Sequence, residues 1–449
     1  MRVTTMPKSK PGKGKVCLFG HFGAGNFGNE STLQALLYHL RRLMPDAELR
    51  CICTAPEIVA ADYKIDALPI SGVVVKPWKV RNSLARLARK ILIGLPSELY
   101  RWLKGIVTLQ DTDMLIVVGT GLLTDAFSID GWGPYSTFKW SVIAKLCGCQ
   151  LMFASVGAGP LRSSAGRFLV KSALSLANFR SYRDEATRKY LKDMGLRCDR
   201  DPVYPDLAFS LPTTPIAHGN PRKSGRPMVG LGLMVYGGMY GIEKTTSEDY
   251  AAYMRTLVVF VKWLLNRGYD IRLLIGDRSD VSAVYEFRSF LSQQVELREQ
   301  ERVLAEPIES ASDLLAQLAT TDFVVATRFH NVLLALFLNK PSIAISFHHK
   351  CSSLMSQMDL SEYCVDIKRL NGDSLIEKFL HMEKNAANLT QMIKSKSEAC
   401  RVALDEQYKR IIKALGIDYE CSSGLGPEPP MLTAPAVADN SNVRLTGRE

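Results

Sequence analysis

The side chains best suited to chemistry fall on two short turns near the end of the chain: Arg328 and His330 on one, His348, His349 and Lys350 on the other. Guanidinium and ammonium groups hold anions, and arginine pairs its N–H donors with carboxylate or phosphate oxygens. An imidazole gains and loses a proton near neutral pH. Such a set suits a small dianion and a reaction that moves a proton. A histidine at a strand end is more often a hydrogen-bonded structural residue than a catalyst. An arginine two positions before it favours the chemical reading for His330.

The residues around these turns explain how they could be brought together. FVVAT (323–327) reads as a buried strand, and NVLLALFL (331–338) has helical length and is apolar on all sides. Asn339-Lys340-Pro341 stops that helix, and SIAISF (342–347) reads as the next strand. Arg328 and His330 then leave the carboxyl end of one strand, and His348 to Lys350 leave that of its neighbour. Open parallel sheets bind ligands along this rim.

At 449 residues the chain is long for one core, and strands alternate with helices in both halves. The expected fold is α/β, two doubly wound Rossmann-like domains facing across a cleft. A basic arm spans 1–14, the first domain 15–200, a Pro-rich linker 201–225, the second domain 226–370, covering helices 371–420 and a disordered Pro/Gly/Ser-rich tail 421–449. Lys15 to Gly20 reads as a strand, residues 30–43 as a helix and 47–53 as the next strand. Between the first two stand Gly23, Gly25 and Gly28, a G-x-G-x-x-G in the context of a dinucleotide fingerprint. The carboxylate expected after the second strand is missing, because that strand runs into Thr54-Ala55-Pro56. This argues against nicotinamide or flavin. Either Gly25, Asn26 and Gly28 let the backbone approach a phosphate or sugar at a helix N-terminus, or the glycines serve only the turn. Gly157 and Gly159 form a second turn on the same rim. Arg183, just before a helix, could reach a bound anion or pair with Asp184.

The formal charge of +11 favours anionic partners, but no nucleic-acid-binding motif accompanies it. The ten cysteines include no C-x-x-C and no zinc-type spacing, so buried thiols are expected; Cys147 and Cys149 would share a face if extended. No apolar run reaches the roughly 18 residues of a membrane span, and no signal-peptide core follows the basic arm, so a cytoplasmic protein is expected. Residues 76–104 carry eight Lys or Arg and one acid, with Leu84, Leu87, Ala88, Ile91, Leu92 and Leu95 at helical spacing. That stripe could pack on the core, or lie on an anionic membrane at its inner face.

Five pieces in order resemble the polysaccharide pyruvyl transferase family: GAGNFGNESTL (23–33), SVGAGPL (155–161), YRDEATRKYLKDMG (182–195), VYPDLAF (203–209) and TRFHNVLLALFLNKPSIAISFHHK (327–350). The resemblance spans roughly residues 15–370. It implies a glycosyltransferase-B-like architecture and transfer of a pyruvyl group from phosphoenolpyruvate to a sugar of an exopolysaccharide or cell-surface polysaccharide precursor. It also implies a basic pocket containing Arg328 and His330, with Arg183 and Lys350 as further anion contacts. His330 is then the expected proton shuttle, and His348 and His349 are candidate contacts to a carbohydrate acceptor, lipid-linked or not. Asn29 stands where many members carry Asp. Neither metal nor cofactor is expected. Two other readings are a nucleotide-sugar glycosyltransferase with the same cleft and a non-catalytic component of a polysaccharide-assembly complex. Oligomeric state is not legible.

Overall fold

The computed structural model describes residues 14–72, 82, 89–125, 133–212, 225–236 and 246–416. The expected arm 1–14 apart from Gly14, the expected tail 421–449 and most of 76–88 lie outside these residues. The first sheet contains β1 (Lys15–Phe19), β2 (Glu48–Cys53), β3 (Asp66–Pro69), β4 (Met114–Val118), β5 (Gln150–Val156) and β6 (Phe179–Tyr182). The second contains β7 (Met228–Leu233), β8 (Asp270–Ile275), β9 (Val303–Leu304), β10 (Phe323–Ala326), β11 (Ser342–Ser346) and β12 (Cys364–Asp366). Their orders are β3-β2-β1-β4-β5-β6 and β12-β11-β10-β7-β8-β9, with all pairings parallel.

Each half is therefore wound twice from its own first strand. The winding reverses between β1 and β4 and between β7 and β10, which opens a crevice at the carboxyl ends of those strands. Helices cover both faces of each sheet, so the central strands are apolar runs rather than alternating ones. Every residue of β4 and of β7 is buried. The helix Phe329–Phe337 buries seven consecutive residues, Asn331 to Phe337. Each large apolar side chain so buried contributes about 1.5–3 kcal/mol, which fixes the turn carrying Arg328 and His330.

Within the linker expected at 201–225, partly ordered at 204–209, Leu207, Ala208 and Phe209 are buried in a short turn capped by Asp206. The helix Ala386–Lys413 does not merely cover the second half. It returns to the first, where Gln407 accepts from Ser155 Oγ (3.0 Å) and donates to Ser181 Oγ (2.7 Å). Tyr408 stacks on His39 at 4.2 Å. A short amphipathic pattern shows which face of a helix is apolar, but not which domain that face meets. The described cysteines are free and mostly buried. Cys147 follows a helix and Cys149 precedes β5, so the two do not share a strand face.

Candidate active site

The first half contributes the glycine loop after β1. Asn26 caps the helix Phe27–Leu43 by accepting from the Asn29 amide, and its Nδ2 donates to Asp277 Oδ2 (3.0 Å) in the other half. Backbone bonds from Phe27 N to Gly276 O (3.1 Å) and Arg278 N to Gly25 O (2.9 Å) lock the loop onto the turn after β8. Gly25 has φ +81°, a left-handed conformation that a side chain disfavours, and a Cβ there would also meet Arg278. Gly28 is required for a different reason. A Cβ at Gly28 would fall 1.8 Å from the His330 ring, so its lack of a side chain makes room for the imidazole. Gly28→Ala is expected to push His330 aside and lower activity about a hundredfold while the melting temperature changes little. Steady-state kinetics beside a thermal melt checks this.

In the second half Arg328 is held from the side. Its Nε and Nη2 donate to the two Asp280 oxygens at 2.7 and 2.6 Å. Asp280 is fully buried and also accepts from the Val235 amide (3.0 Å). Burial pushes the Asp280 carboxyl up from its ordinary value, and the guanidinium opposes that shift. Two short charge-assisted bonds keep the carboxylate ionised at neutral pH. His330 stands half-buried beside Phe329, with ring centroids 4.9 Å apart. Burial lowers its pKa to about 4; nearby Asp206 resists this, whereas Arg183, Lys350 and Arg328 add to it. The imidazole is therefore neutral at pH 7. On the next turn Lys350 is lowered to about 8, first by burial and then by Arg183. His348 caps the helix His349–Gln357, with its Nδ1 accepting from the Lys350 amide (3.3 Å). Burial and then Lys350 lower His348 to about 3.

Arg183 crosses between the halves. Its guanidinium lies over the Phe329 ring at 4.7 Å, with Nη1 3.4 Å from Asp206 and Nε 3.6 Å from Asp184. Buried Nη2 has no hydrogen-bond partner among the described residues. Gly157 lies directly against it, since a Cβ there would approach within 2.7 Å.

Arg183, Phe329 and His348 line one cavity of about 580 Å³ between the two halves, with Asn26, Asn29, Thr120 and Gly121 on one side and Arg328, His330 and Lys350 on the other. The sequence profile of the polysaccharide pyruvyl transferase family matches residues 26–349, from the Asn26 cap to the start of the His349 helix. The chain belongs to that family. A pyruvyl transferase family chain with this cleft is also 21% identical to the amylovoran biosynthesis protein AmsJ of Erwinia amylovora, over 90% of this chain and 100% of that one. Among solved structures it is similar to the UDP-GlcNAc 2-epimerase of Neisseria meningitidis bound to UDP-GlcNAc (TM-score 0.54, 13% identity, 90% and 99% covered). MnaA of S. aureus with UDP gives TM-score 0.54 at 14% identity, with 92% and 100% covered. At such identities the likeness concerns the fold of two Rossmann-like domains.

The cavity thus gathers Arg183, Arg328, His330, His348, Lys350 and Asn26. Gly25 borders a smaller cleft of about 70 Å³ on the other side of the loop. Gly28 and Gly157 serve the cavity indirectly, by making room for His330 and Arg183. Gly159 stands away from the cavity lining, at φ +89° against Tyr190, where it shapes the turn. His349 is exposed and lies outside the lining, its ring centroid 4.1 Å from that of His348 and tilted 37° to it. Asn29 donates to the His21 carbonyl (2.9 Å). Sequence reasoning missed Asp280, Asp277, Asp206 and the Gly119–Gly121 turn. Asp277 and Gly121 were within reach, because both leave the carboxyl ends of strands, β8 and β4.

Proposed function

We propose that this family member transfers the pyruvyl group of phosphoenolpyruvate to two hydroxyls of one sugar in an exopolysaccharide or cell-surface polysaccharide precursor, forming a ketal and releasing phosphate. The observation that carries this reading is the Arg183 guanidinium, buried beside the cavity with Nη2 unpartnered. An unsatisfied buried donor costs about 1–3 kcal/mol, and a carboxylate or phosphate oxygen would satisfy it. Lys350 and the Asp280-braced Arg328 supply the remaining positive charge.

In the reaction, the donor's CH₂ carbon takes a proton and becomes CH₃. One sugar hydroxyl adds to the neighbouring carbon, the C–O bond to phosphate breaks, and the second hydroxyl closes the ketal. The two hydroxyl protons balance the one gained by carbon and the one carried off with phosphate. A neutral His330 can accept a hydroxyl proton and deliver it to carbon, while the fixed cations stabilise the departing phosphate. No step requires a metal or an organic cofactor.

Calorimetric titration tests the donor. Phosphoenolpyruvate is expected to bind, and Arg183→Ala to weaken it about tenfold to a hundredfold, the worth of one charge-assisted hydrogen bond. Binding of UDP with none of phosphoenolpyruvate would favour the nucleotide-sugar reading, which the UDP-bound relatives of this fold make the natural rival.

A pH profile gives a second check. Lys350 is charged below about 8, so kcat/KM for phosphoenolpyruvate should fall as pH rises through that value. Below pH about 6 the donor's own phosphate takes up a proton, which leaves the alkaline limb as the informative one. Lys350→Arg keeps its charge at high pH and is expected to move that limb upward. An unmoved limb would remove Lys350 from donor binding.

A further inference from the structure

We infer that the helix Leu95–Leu109 is a docking face for an anionic lipid surface. Leu92, Leu95, Leu99, Leu103 and Val107, spaced by three and four residues, expose 55–72% of their surfaces along one side. The buried positions are Ser97, Gly105 and Leu109. A Cβ at Gly105 would come within 2.7 Å of Ile143, so the small-residue side is pressed against the helix Gly133–Leu146. A helix in contact only with water turns its leucines inward. This one turns them outward, and a row of that kind marks an interaction surface.

Charge identifies the occupant. Between Arg89 and Gln110 the charged residues are Arg89, Lys90, Arg101 and Lys104 against Glu98 alone. The Glu98 carboxylate is held by Arg101 (2.8 Å), Lys139 (3.1 Å) and Tyr135 (2.7 Å). An exposed apolar row in a segment whose sequence carries four bases to one acid fits acyl chains beneath anionic headgroups. A second copy of the same helix would instead set like charges together. Among the described residues no helix is long and apolar enough to cross a membrane, so the contact lies in the plane of the interface. A crossover helix runs antiparallel to the strands it joins, and its first turn therefore lies toward the carboxyl strand ends where the cleft opens. The inference stands whatever the donor proves to be.

Flotation of the full-length protein with vesicles of phosphatidylglycerol and phosphatidylcholine, against vesicles of phosphatidylcholine alone, tests it. The wild type is expected to float with the anionic vesicles and to release at high salt. The triple variant Leu95→Gln, Leu99→Gln, Leu103→Gln should lose about tenfold or more in partitioning with an unchanged melting temperature. Lys90→Gln with Lys104→Gln should weaken binding to the anionic vesicles alone. The inference is overturned if the wild type stays with the unbound fraction, or if the triple variant floats equally well. A wild-type dimer that the triple variant converts to monomer, with no vesicle binding by either, assigns the face to a second copy instead.

Discussion

His330→Gln is expected to lower turnover of phosphoenolpyruvate by about 10²–10⁴-fold while donor affinity changes only a few-fold, since glutamine fills much of the same space but shuttles no proton. The expectation rests on placement as well as on residue type. The ring lines the cavity, stands against Gly28 of the opposite half and is flanked by Arg183, Arg328 and Lys350. Burial and these cations hold it neutral at pH 7, the form that takes a proton from a sugar hydroxyl. A bound dianion would raise its proton affinity. It thus becomes a better base when the donor is present, and the acid it forms sits next to the enol. Acceptor-dependent phosphate release by the variant, measured beside a thermal melt, decides the matter. A loss of kcat below about threefold in a folded protein would exclude proton transfer by His330.

The second large effect concerns a residue away from the reacting atoms. Asp280→Ala is expected to destabilise the protein by about 3–5 kcal/mol and to abolish activity, because it strands the Arg328 guanidinium in a buried site. Asp280 accepts both Arg328 bonds and the Val235 amide, and none of these can be passed to water in so enclosed a position. Arg328→Met alone should cost a similar amount by leaving the carboxylate unpaired. The pair Arg328→Met with Asp280→Leu should recover much of the stability, as an apolar replacement of a buried ion pair often does. Urea unfolding of the wild type, Arg328→Met, Asp280→Leu and the double variant gives the cycle. Activity of the double variant then separates two roles: if it returns with stability, Arg328 is scaffold, and if it stays absent, Arg328 also serves the anion.

Much of this architecture is written locally. The all-apolar runs DMLIVVG and FVVAT mark strands covered on both faces, and Asn339-Lys340-Pro341 marks where a helix must stop. From these alone Arg328, His330 and Lys350 fall at strand ends, and the structure has them on one cavity. The short tail of β3, the two-residue β9 and the three-residue β12 carry too few positions for a period to show. The sequence stripe at 84–95 points to a buried or membrane-facing side without choosing between them. The helix that follows turns its leucines outward because its small-residue side, with Gly105 against Ile143 and Ser97 buried, is the one pressed on the fold.

By itself the amino-acid order determined the alternation of strands and helices, the rim on which the cations and imidazole sit, and the family to which the motifs belong. The first two follow from side-chain periodicity and turn chemistry over ten or so neighbouring residues, and the family from the resemblance of five motifs in order. Only the tertiary packing decided that Arg328 meets Asp280 across one sheet, that His330 rests on Gly28, that Arg183 spans the cleft and that Gln407 returns to Ser155. Such partners lie tens to hundreds of positions apart, and nothing in a local pattern encodes a distance that arises only when separate layers close on one another.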